Sequence, residues 1–308
     1  MVSGPWTMRR ANKPHASTAC DRQATRHLKL RAISFVAASL LSMGVGAQIQ
    51  SKPAPACSKP VYLTFDTGHM AVAPLIAQVL KRHEVKVTFF AADEPTKEGD
   101  GSLGNHWAPW WRERAAEGHA FASHTIDHTY WRADAGPGRF TVRPSAGPRA
   151  GQTFEVTAPQ YCAQIDASNA RLQTLTGQAP LPLFRAPGGK TSPALLAAAK
   201  ACGYQHVGWA NAGFLGDELP SDKFPNRMLL DKALRDIKAG DILMAHLGIW
   251  SRQDPWAPAV LEPLITGLKA RGFCFATLRD HPSYAAWVAA KISAPPQTLQ
   301  STQTLSPR

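Results

Sequence analysis

Acid, imidazole and guanidinium side chains stand where several apolar runs of this sequence end. These side chains are Asp66, His69, His124, His128, Arg185 and His246. Carboxylates and imidazoles can transfer protons, and clustered imidazoles can bind a metal ion. The four-residue spacing of His124 and His128 would place both rings on the same side of a helical turn, where they can share one cation. Because histidine pairs at this spacing are also common on helix surfaces, the spacing alone leaves both interpretations open.

Predicted strands and helices alternate along most of the chain and would position these side chains. Runs typical of strands lie at 61–66, 85–92, 181–189, 204–212, 241–248 and 273–278. Segments with apolar residues at helical spacing lie at 73–83, 158–177, 192–203, 225–240 and 257–272. This order predicts an α/β fold in which helices cover a parallel sheet, as a single (β/α) barrel-like domain over 60–290. In such barrels, chemistry collects at the C-terminal ends of the strands.

Residues 131–157 interrupt this alternation. Two short β-like runs flank a centre rich in Gly and Pro, which predicts an inserted β-hairpin. Before the predicted domain, residues 48–59 form a lead-in that contains Pro and Lys. After it, the segment 291–308 is rich in Ser, Thr, Gln and Pro, a composition that predicts a disordered tail.

Residues 1–47 have the pattern of a cleaved signal peptide. A basic cluster at 26–31 precedes an apolar run of small residues at 32–47. That run is shorter than the ~20 residues that a membrane-spanning helix needs. Residues 1–25 do not fit an export signal, and a translation start downstream of Met1 would explain them. The sequence therefore predicts an exported protein, periplasmic or secreted, with no membrane association beyond export.

The charge of the chain argues against a nucleic-acid partner. Beyond residue 47 the chain carries 27 Lys and Arg against 21 Asp and Glu, a net charge of +6. These charges are spread along the sequence, whereas nucleic-acid binding needs a basic patch or stripe. A mild positive charge would suit an acidic cell-envelope polymer, and solubility explains it equally well.

Four cysteines remain beyond residue 47, namely Cys57, Cys162, Cys202 and Cys274. An exported protein with four cysteines can form two disulfides, in any of three connectivities. Cys162 and Cys202 both lie on predicted helices, and the sequence favours that pair. Buried free thiols are an alternative.

Several segments occur in the order found in a known enzyme family. They are YLTFDTGH (62–69), VTFF (87–90), GHAFASHTIDH (118–128), FRAPGG (184–189), GDILMAHLG (240–248) and LKARGFCFATL (268–278). Over roughly residues 60 to 280 the chain resembles the NodB-homology polysaccharide deacetylases (carbohydrate esterase family four), in a bacterial exported subgroup with a TFDTGH variant of the first motif. The resemblance implies a distorted (β/α) barrel with an inserted β-hairpin. It also implies hydrolysis of N-acetyl or O-acetyl groups on a glycan such as peptidoglycan or chitin, with a divalent metal as cofactor.

The resemblance also assigns roles to individual residues. Asp66 matches the catalytic base that takes a proton from the attacking water, and Arg185 matches the arginine that orients this base. Gly188 matches the residue whose backbone N–H helps to hold the tetrahedral oxyanion. His246 matches the histidine that protonates the leaving amine or alcohol. We expect a monomer.

The metal site departs from the family pattern. His124 and His128 match its two histidines, but Thr67 stands where the family has an aspartate ligand. His69 would give a three-histidine set of a kind known at catalytic zinc. Alternatively, His69 only lines the cleft and water completes the coordination shell. Zinc is the expected metal, with cobalt, nickel or manganese as alternatives.

The partner of the acid histidine departs from the pattern as well. The family places an aspartate there, with a tryptophan three residues later. In this sequence Asn211 and Phe214 have that spacing, and Asp217 follows. The residue that tunes His246 therefore stays open.

Two further function classes are compatible with the sequence. One is a related amidohydrolase that acts on a non-sugar amide or imide with little or no metal; Thr67 keeps this class open, and the export signal argues against it. The other is a non-catalytic glycan-binding protein with a degraded metal site. A decayed site has no physical need for an intact base, base-orienting arginine and acid, so their joint presence favours the enzyme.

Overall fold

The computed structural model of the chain describes residues 57–250, 252 and 254–293. The predicted signal peptide (1–47) lies outside these residues, as do most of the lead-in (48–59) and of the predicted tail (291–308). What the sequence predicts for those segments stays a prediction.

Strands and helices alternate in the described chain, apart from one antiparallel region. The strands are β1 (Pro60–Asp66), β2 (Thr88–Ala91), β3 (Ala120–Ser123), β4 (Thr129–Gly136), β5 (Arg139–Pro144), β6 (Phe154–Thr157), β7 (Leu183–Phe184), β8 (Gln205–His206), β9 (Ile242–His246) and β10 (Cys274–Phe275). The helices are α1 (Ala73–Arg82), α2 (Ala108–Ala116), α3 (Ala158–Thr176), α4 (Pro193–Ala201), α5 (Asn226–Asp236), α6 (Leu261–Ala270) and α7 (Ala285–Ser293). None of the described helices is both long enough and apolar enough to cross a membrane.

Local sequence determines where the helices after the antiparallel region begin and end. The Thr157 side chain accepts the N–H of Gln160, and the Gln160 side chain accepts the N–H of Thr157 in return, which forms a capping box at the start of α3. The same helix ends at Gly177, whose φ of 71° favours glycine. Ser192 caps α4 by accepting the N–H of Leu195.

The main sheet is parallel. Its strand order is β10-β1-β2-β3-β7-β8, and β9 pairs with β1. The segment after β8 also contacts β9, because Ala210 donates its N–H to the carbonyl of Ile242 (3.0 Å) and Leu215 donates to that of Met244 (3.2 Å). The predicted α/β fold with a mostly parallel sheet is confirmed. Closure of the sheet into a complete barrel stays a prediction.

The central strands of this sheet are buried on both faces. Every residue of β2 and β3 is buried, and so is β1 after its first residue. Such continuous burial is typical of a parallel sheet with helices on both sides. The largest core cluster packs α1, α2 and α6 against one face of these strands.

The region predicted as a hairpin is a three-stranded antiparallel sheet, β4-β5-β6. The two β-like runs of the sequence are β5 and β6, which pair antiparallel as expected for a hairpin. The third strand, β4, pairs with β5 and has irregular register after Trp131 and after Asp134. These irregularities disturb the period-two pattern by which strands are recognised in a sequence.

Two disulfides connect distant parts of the described chain. Cys57 pairs with Cys274 and so joins the start of the described chain to β10. Cys162 pairs with Cys202, which joins α3 to the residue that ends α4. The second pair is the one that the sequence favours.

Candidate active site

The predicted site residues come from the C-terminal ends of neighbouring parallel strands. Asp66 and His246 are the last residues of β1 and β9, and they are partners in the register of these two strands. His124 directly follows β3, and Arg185 directly follows β7. Because these strands are parallel neighbours, the fold itself brings the four side chains to one edge of the sheet.

A cavity of about 200 Å³ opens at this edge. Five residues that the sequence predicts for the site line it: Asp66, His124, His128, Gly188 and His246. Two glutamates, Glu94 and Glu218, line it as well. The cavity therefore combines two candidate metal ligands with a candidate base and a candidate acid.

An ion pair with Arg185 keeps the Asp66 carboxylate charged. Asp66 is 3% exposed, and its Oδ1 accepts a hydrogen bond from Arg185 Nη1 at 2.6 Å. Burial by itself would raise the pKa of Asp66, but the charges of Arg185, His124 and His246 outweigh burial and hold this pKa below its usual value. The carboxylate is therefore ionised at neutral pH, as a proton acceptor must be.

Arg185 is fully buried, and its guanidinium is held on several sides. Besides Asp66, its Nη1 donates to Thr64 Oγ1 (2.9 Å), and its Nε donates to the Val207 carbonyl (3.2 Å). The guanidinium also lies 4.2 Å from the centre of the Phe90 ring. A charge that is satisfied in this way can stay buried, and it fixes the direction of the Asp66 carboxylate.

On the other side of the cavity, a pair with Asp217 favours the protonated form of His246. Asp217 is buried, and its Oδ1 lies 3.1 Å from His246 Nδ1, while its Oδ2 accepts the backbone N–H of His246 at 2.6 Å. Burial alone would lower the pKa of His246, but the charge and hydrogen bond of Asp217, with smaller contributions from Asp66 and Glu218, raise it to about 9. Asp217 is thus the partner that the sequence pattern left open, and His246 can donate a proton at neutral pH.

His124 and His128 have the character of metal ligands. His124 Nδ1 donates to the Arg185 carbonyl at 2.8 Å, so the Nε2 of a neutral ring carries a lone pair. This Nε2 lies 3.6 Å from Asp66 Oδ2. His128 Nδ1 lies 2.5 Å from Ser145 Oγ, and burial lowers the pKa of His128 to about 4. An imidazole that is held through one nitrogen can offer its other nitrogen to a divalent cation, provided that this second nitrogen carries no proton.

His69 lies apart from this pair. Gly68 has a φ of 141° and packs so closely on Gly248 that a Cβ would lie 2.1 Å from the Gly248 oxygen, while the His69 N–H donates to that same carbonyl. The turn directs His69 towards Trp250, with ring centres 4.6 Å apart, and into a second cavity of about 190 Å³. In the described residues, no three His, Cys, Asp or Glu side chains stand close enough to hold a metal ion together. The three-histidine set is therefore not assembled in this structure.

Sequence reasoning missed two residues that contact His128. Ser145 follows β5 in the inserted sheet, and the Glu94 carboxylate lies 3.9 Å from His128 Nδ1. Glu94 could have been predicted from the sequence, because it closely follows a predicted strand, as several of the other site residues do. No comparable signal marks Ser145, since the fold of the inserted sheet alone brings it to the histidine.

The family model described as Polysaccharide deacetylase matches residues 54–207, half of the chain. The chain belongs to this family. The match includes Asp66, His124, His128 and Arg185, and it ends before the strand that carries His246.

Relatives within the polysaccharide deacetylase family cover most of the described chain. A chitooligosaccharide deacetylase from Azorhizobium caulinodans is 26% identical over 71% of this chain and 92% of its own length. The peptidoglycan-N-acetylmuramic acid deacetylase PdaA from Bacillus subtilis is 26% identical over 72% of this chain and 71% of its own length. A family 4 acetyl xylan esterase from Clostridium thermocellum, solved with a cobalt ion, has a TM-score of 0.56 at 22% identity and covers 74% of this chain and 91% of that chain. The predicted family, α/β fold and hydrolase class are confirmed.

Proposed function

We propose that this protein removes acetyl groups from an N-acetylated polysaccharide of the cell envelope, peptidoglycan or a chitin-like glycan. One observation carries the proposal. Asp66 and His246 end neighbouring strands in register, and their partners hold one ionised and the other protonated at neutral pH. Hydrolysis of an amide needs this pair, a base for the attacking water and an acid for the leaving amine. The printed names of the two curated relatives support the substrate class.

Each side chain has a defined task in this proposal. Asp66 accepts a proton from the water that attacks the acetyl carbonyl, and Arg185 keeps the carboxylate aimed at that water. His246 then gives its proton to the sugar nitrogen as the C–N bond breaks, so that the amine and acetate are released. The backbone N–H of Gly188, in the turn that lines the cavity, donates to the oxyanion.

His124 and His128 would hold a divalent metal ion beside Asp66. Such an ion supplies Lewis-acid polarisation of the acetyl carbonyl and a lower pKa for water. Zinc is the proposed ion, with cobalt, nickel or manganese as alternatives, since imidazole ligands accept several of these metals.

We also propose that the protein acts outside the cytoplasm as a monomer. The two disulfides within the described residues are typical of proteins that fold in an oxidising compartment. This supports the predicted signal peptide, whose removal would leave Gln48 as the first residue. N-terminal sequencing of the protein recovered from the periplasm or the medium tests the proposal. A recovered protein that still carries residues 26–47 would contradict it.

Acetate release tests the proposed reaction. The wild type, supplied with zinc, should release acetate from N-acetylglucosamine oligomers or from peptidoglycan. Asp66→Asn and His246→Ala should each reduce kcat by at least about 100-fold, while the exposed Asp222→Asn serves as a matched control. Full activity of Asp66→Asn would refute the proposed mechanism, and glycan binding without acetate release would identify a non-catalytic protein.

A further inference from the structure

A second cavity adjoins the active-site cavity beside the candidate acid. His246 and Ile249 line both cavities, and Asp217, the partner of His246, lines the second one. The second cavity measures about 190 Å³ and the active-site cavity about 200 Å³. Each is smaller than the roughly 300–1,000 Å³ of a typical small-molecule site, but the two together reach that size. One ligand can therefore occupy both cavities, with His246 between its two parts.

The proposed reaction places the glycan on this side of the site. The glycan itself is the leaving group, and His246 gives its proton to the sugar nitrogen. The sugar unit that carries this nitrogen must therefore stand within hydrogen-bond reach of His246. Because His246 also lines the second cavity, that cavity lies next to the unit whose acetyl group is removed.

The second cavity offers apolar surface together with a hydrogen-bond donor. His69, Val72 and Trp256 are among the side chains that line it. Trp256 is 4% exposed, and its indole N–H has no hydrogen-bond partner among the described residues. Leaving a buried donor unpaired is unfavourable, and an oxygen of a bound sugar would satisfy it.

Trp250 extends this surface towards solvent. Among the described residues it is the most exposed large apolar side chain, at 62%, although tryptophan is usually well buried. Its ring lies 4.6 Å from the ring of His69, measured between ring centres. The His69 ring is itself held in place, because its Nδ1 accepts the N–H of Ala71 at 3.1 Å. Trp250 therefore presents a flat apolar face beside the cavity, supported from behind by a second ring.

The loop that carries Trp250 is anchored. Arg252, two residues later, donates from Nη1 to the Leu219 carbonyl (2.7 Å) and from Nη2 to Asn226 Oδ1 (2.6 Å). Both acceptors belong to the segment that follows Asp217, so the loop is tied to the backbone beside the acid. An aromatic side chain on an anchored loop loses less conformational freedom when a ligand binds.

We propose that His69, Trp250 and Trp256 form a subsite for the sugar unit next to the one that is deacetylated. The neighbouring unit stacks its apolar face on Trp250, and one of its oxygens accepts the N–H of Trp256. This inference rests on the proposed function, and it makes the substrate a chain of linked N-acetylated sugars rather than a single sugar.

Binding of N-acetylglucosamine and of its trimer tests the inference without any deacetylation. Calorimetric titration of Asp66→Asn, the parent variant, should show about tenfold or tighter binding of the trimer than of the single sugar. Adding Trp250→Ala should weaken trimer binding by about tenfold or more, as expected for a tryptophan that anchors a ligand. In the enzyme with Asp66 intact, Trp250→Ala should raise KM for the trimer more than it lowers kcat.

Met228→Ala is the control for removal of an exposed apolar side chain. Met228 is 52% exposed and lines neither cavity. Trimer binding by this variant should stay within about twofold of the parent, because surface substitutions away from a site change little.

Two substitutions at His69 separate its ring from its hydrogen bond. His69→Phe keeps a ring beside Trp250 and loses the bond to the N–H of Ala71, whereas His69→Asn keeps an acceptor and loses the ring. Only His69→Asn should weaken trimer binding, by about threefold or more, which corresponds to loss of an aromatic pair.

The donor in the cavity has a matched control of its own. Trp256→Phe removes the indole N–H and should weaken trimer binding by about threefold or more, the effect of one hydrogen bond. Trp107 is 6% exposed, and its N–H likewise has no partner among the described residues, but it lines neither cavity. Trp107→Phe should therefore leave trimer binding unchanged.

The outcomes separate this inference from the proposed function. If the parent variant binds the single sugar and the trimer equally well, or if Trp250→Ala binds the trimer like Met228→Ala, the subsite is wrong although the deacetylase mechanism stands. If the trimer binds through Trp250 but the zinc-supplied wild type releases no acetate from it, the proposed function is wrong and the subsite belongs to a glycan-binding protein.

Discussion

Opposite protonation states at Asp66 and His246 arise from their different partners. Both side chains are largely buried, and burial alone would neutralise each of them. The guanidinium of Arg185 keeps the carboxylate charged, whereas the carboxylate of Asp217 keeps the imidazole charged. A base and an acid can therefore coexist in one cavity because each has its own counter-ion.

The pH dependence of acetate release should depend on the interaction between His246 and Asp217. Since His246 must be protonated to act as the acid, kcat/KM for acetate release should fall as pH rises through about 9. Asp217→Asn removes the charge that raises this pKa, so the alkaline limb should move at least about one pH unit towards neutral. Asp222→Asn should leave the limb in place. An unmoved limb in Asp217→Asn would show that another group controls the proton on His246.

Removal of Arg185 should destabilise the fold, because it leaves the Asp66 carboxylate buried without a partner. Arg185→Met should lower the free energy of unfolding at pH 7 by about 3–5 kcal/mol, measured by urea denaturation. The ion pair lowers the pKa of Asp66, so its contribution exists above the unfolded value of about 3.9 and is lost as pH falls. The difference between variant and wild type should therefore shrink towards pH 3.

An exposed ion pair provides the control for that measurement. Arg139 and Glu155 are about half exposed, at 52% and 49%, and their closest atoms lie 2.7 Å apart. Arg139→Met should cost less than about 1 kcal/mol at any of these pH values. If Arg185→Met and Arg139→Met lower the free energy of unfolding equally, the buried ion pair stabilises the fold no more than an exposed one.

At the level of elements, the inserted sheet is part of the site. It contributes Ser145, which contacts His128, and Tyr130, whose ring lies 4.9 Å from the ring of His128. Gly188 lies against the same tyrosine, since a Cβ there would come within 2.9 Å of it. Tyr130 of β4 and Ser145, which follows β5, therefore line the cavity and contact His128, a candidate metal ligand.

The contact between Ser145 and His128 should tune metal affinity. Ser145→Ala removes the partner of Nδ1, and the loss of such a partner typically weakens metal binding 10- to 100-fold. Zinc titration of the metal-free variant checks this value, and the exposed Ser283→Ala serves as control. Unchanged affinity in Ser145→Ala would show that packing alone orients the imidazole.

At the level of the whole molecule, disulfides join segments that are far apart in sequence. The pair Cys162–Cys202 closes a loop with a sequence separation of 40 residues between α3 and α4. A cross-link that closes a loop of this size lowers the conformational entropy of the unfolded chain and so stabilises the folded state by roughly 3–4 kcal/mol. Cys162→Ala should lower the free energy of unfolding by about 2–4 kcal/mol, and adding Cys202→Ala should cost little more. A double variant as stable as the wild type would contradict this.

The amino-acid sequence was sufficient to predict the class of fold, the family and the strand ends at which the candidate site lies. Alternating strand and helix patterns place polar residues at strand ends, and parallel connections bring those ends together. Asp66, His124, His128, Arg185 and His246 were predicted on that basis together with a family resemblance. Asp66, His124, Arg185 and His246 each end or directly follow a strand, so the local pattern is sufficient to locate them at the cavity, while their roles stay a proposal.

The partners of these residues became visible only once the chain was folded in three dimensions. Asp217 reaches His246 although its spacing differs from the family pattern, and Ser145 reaches His128 from the end of β5 in the antiparallel sheet. The turn at Gly68 directs His69 towards Trp250, so the three-histidine set, one of two alternatives that the sequence left open, is not assembled in the described residues. Contacts of this kind depend on how loops from different strands pack in three dimensions, and spacing along the chain does not encode that.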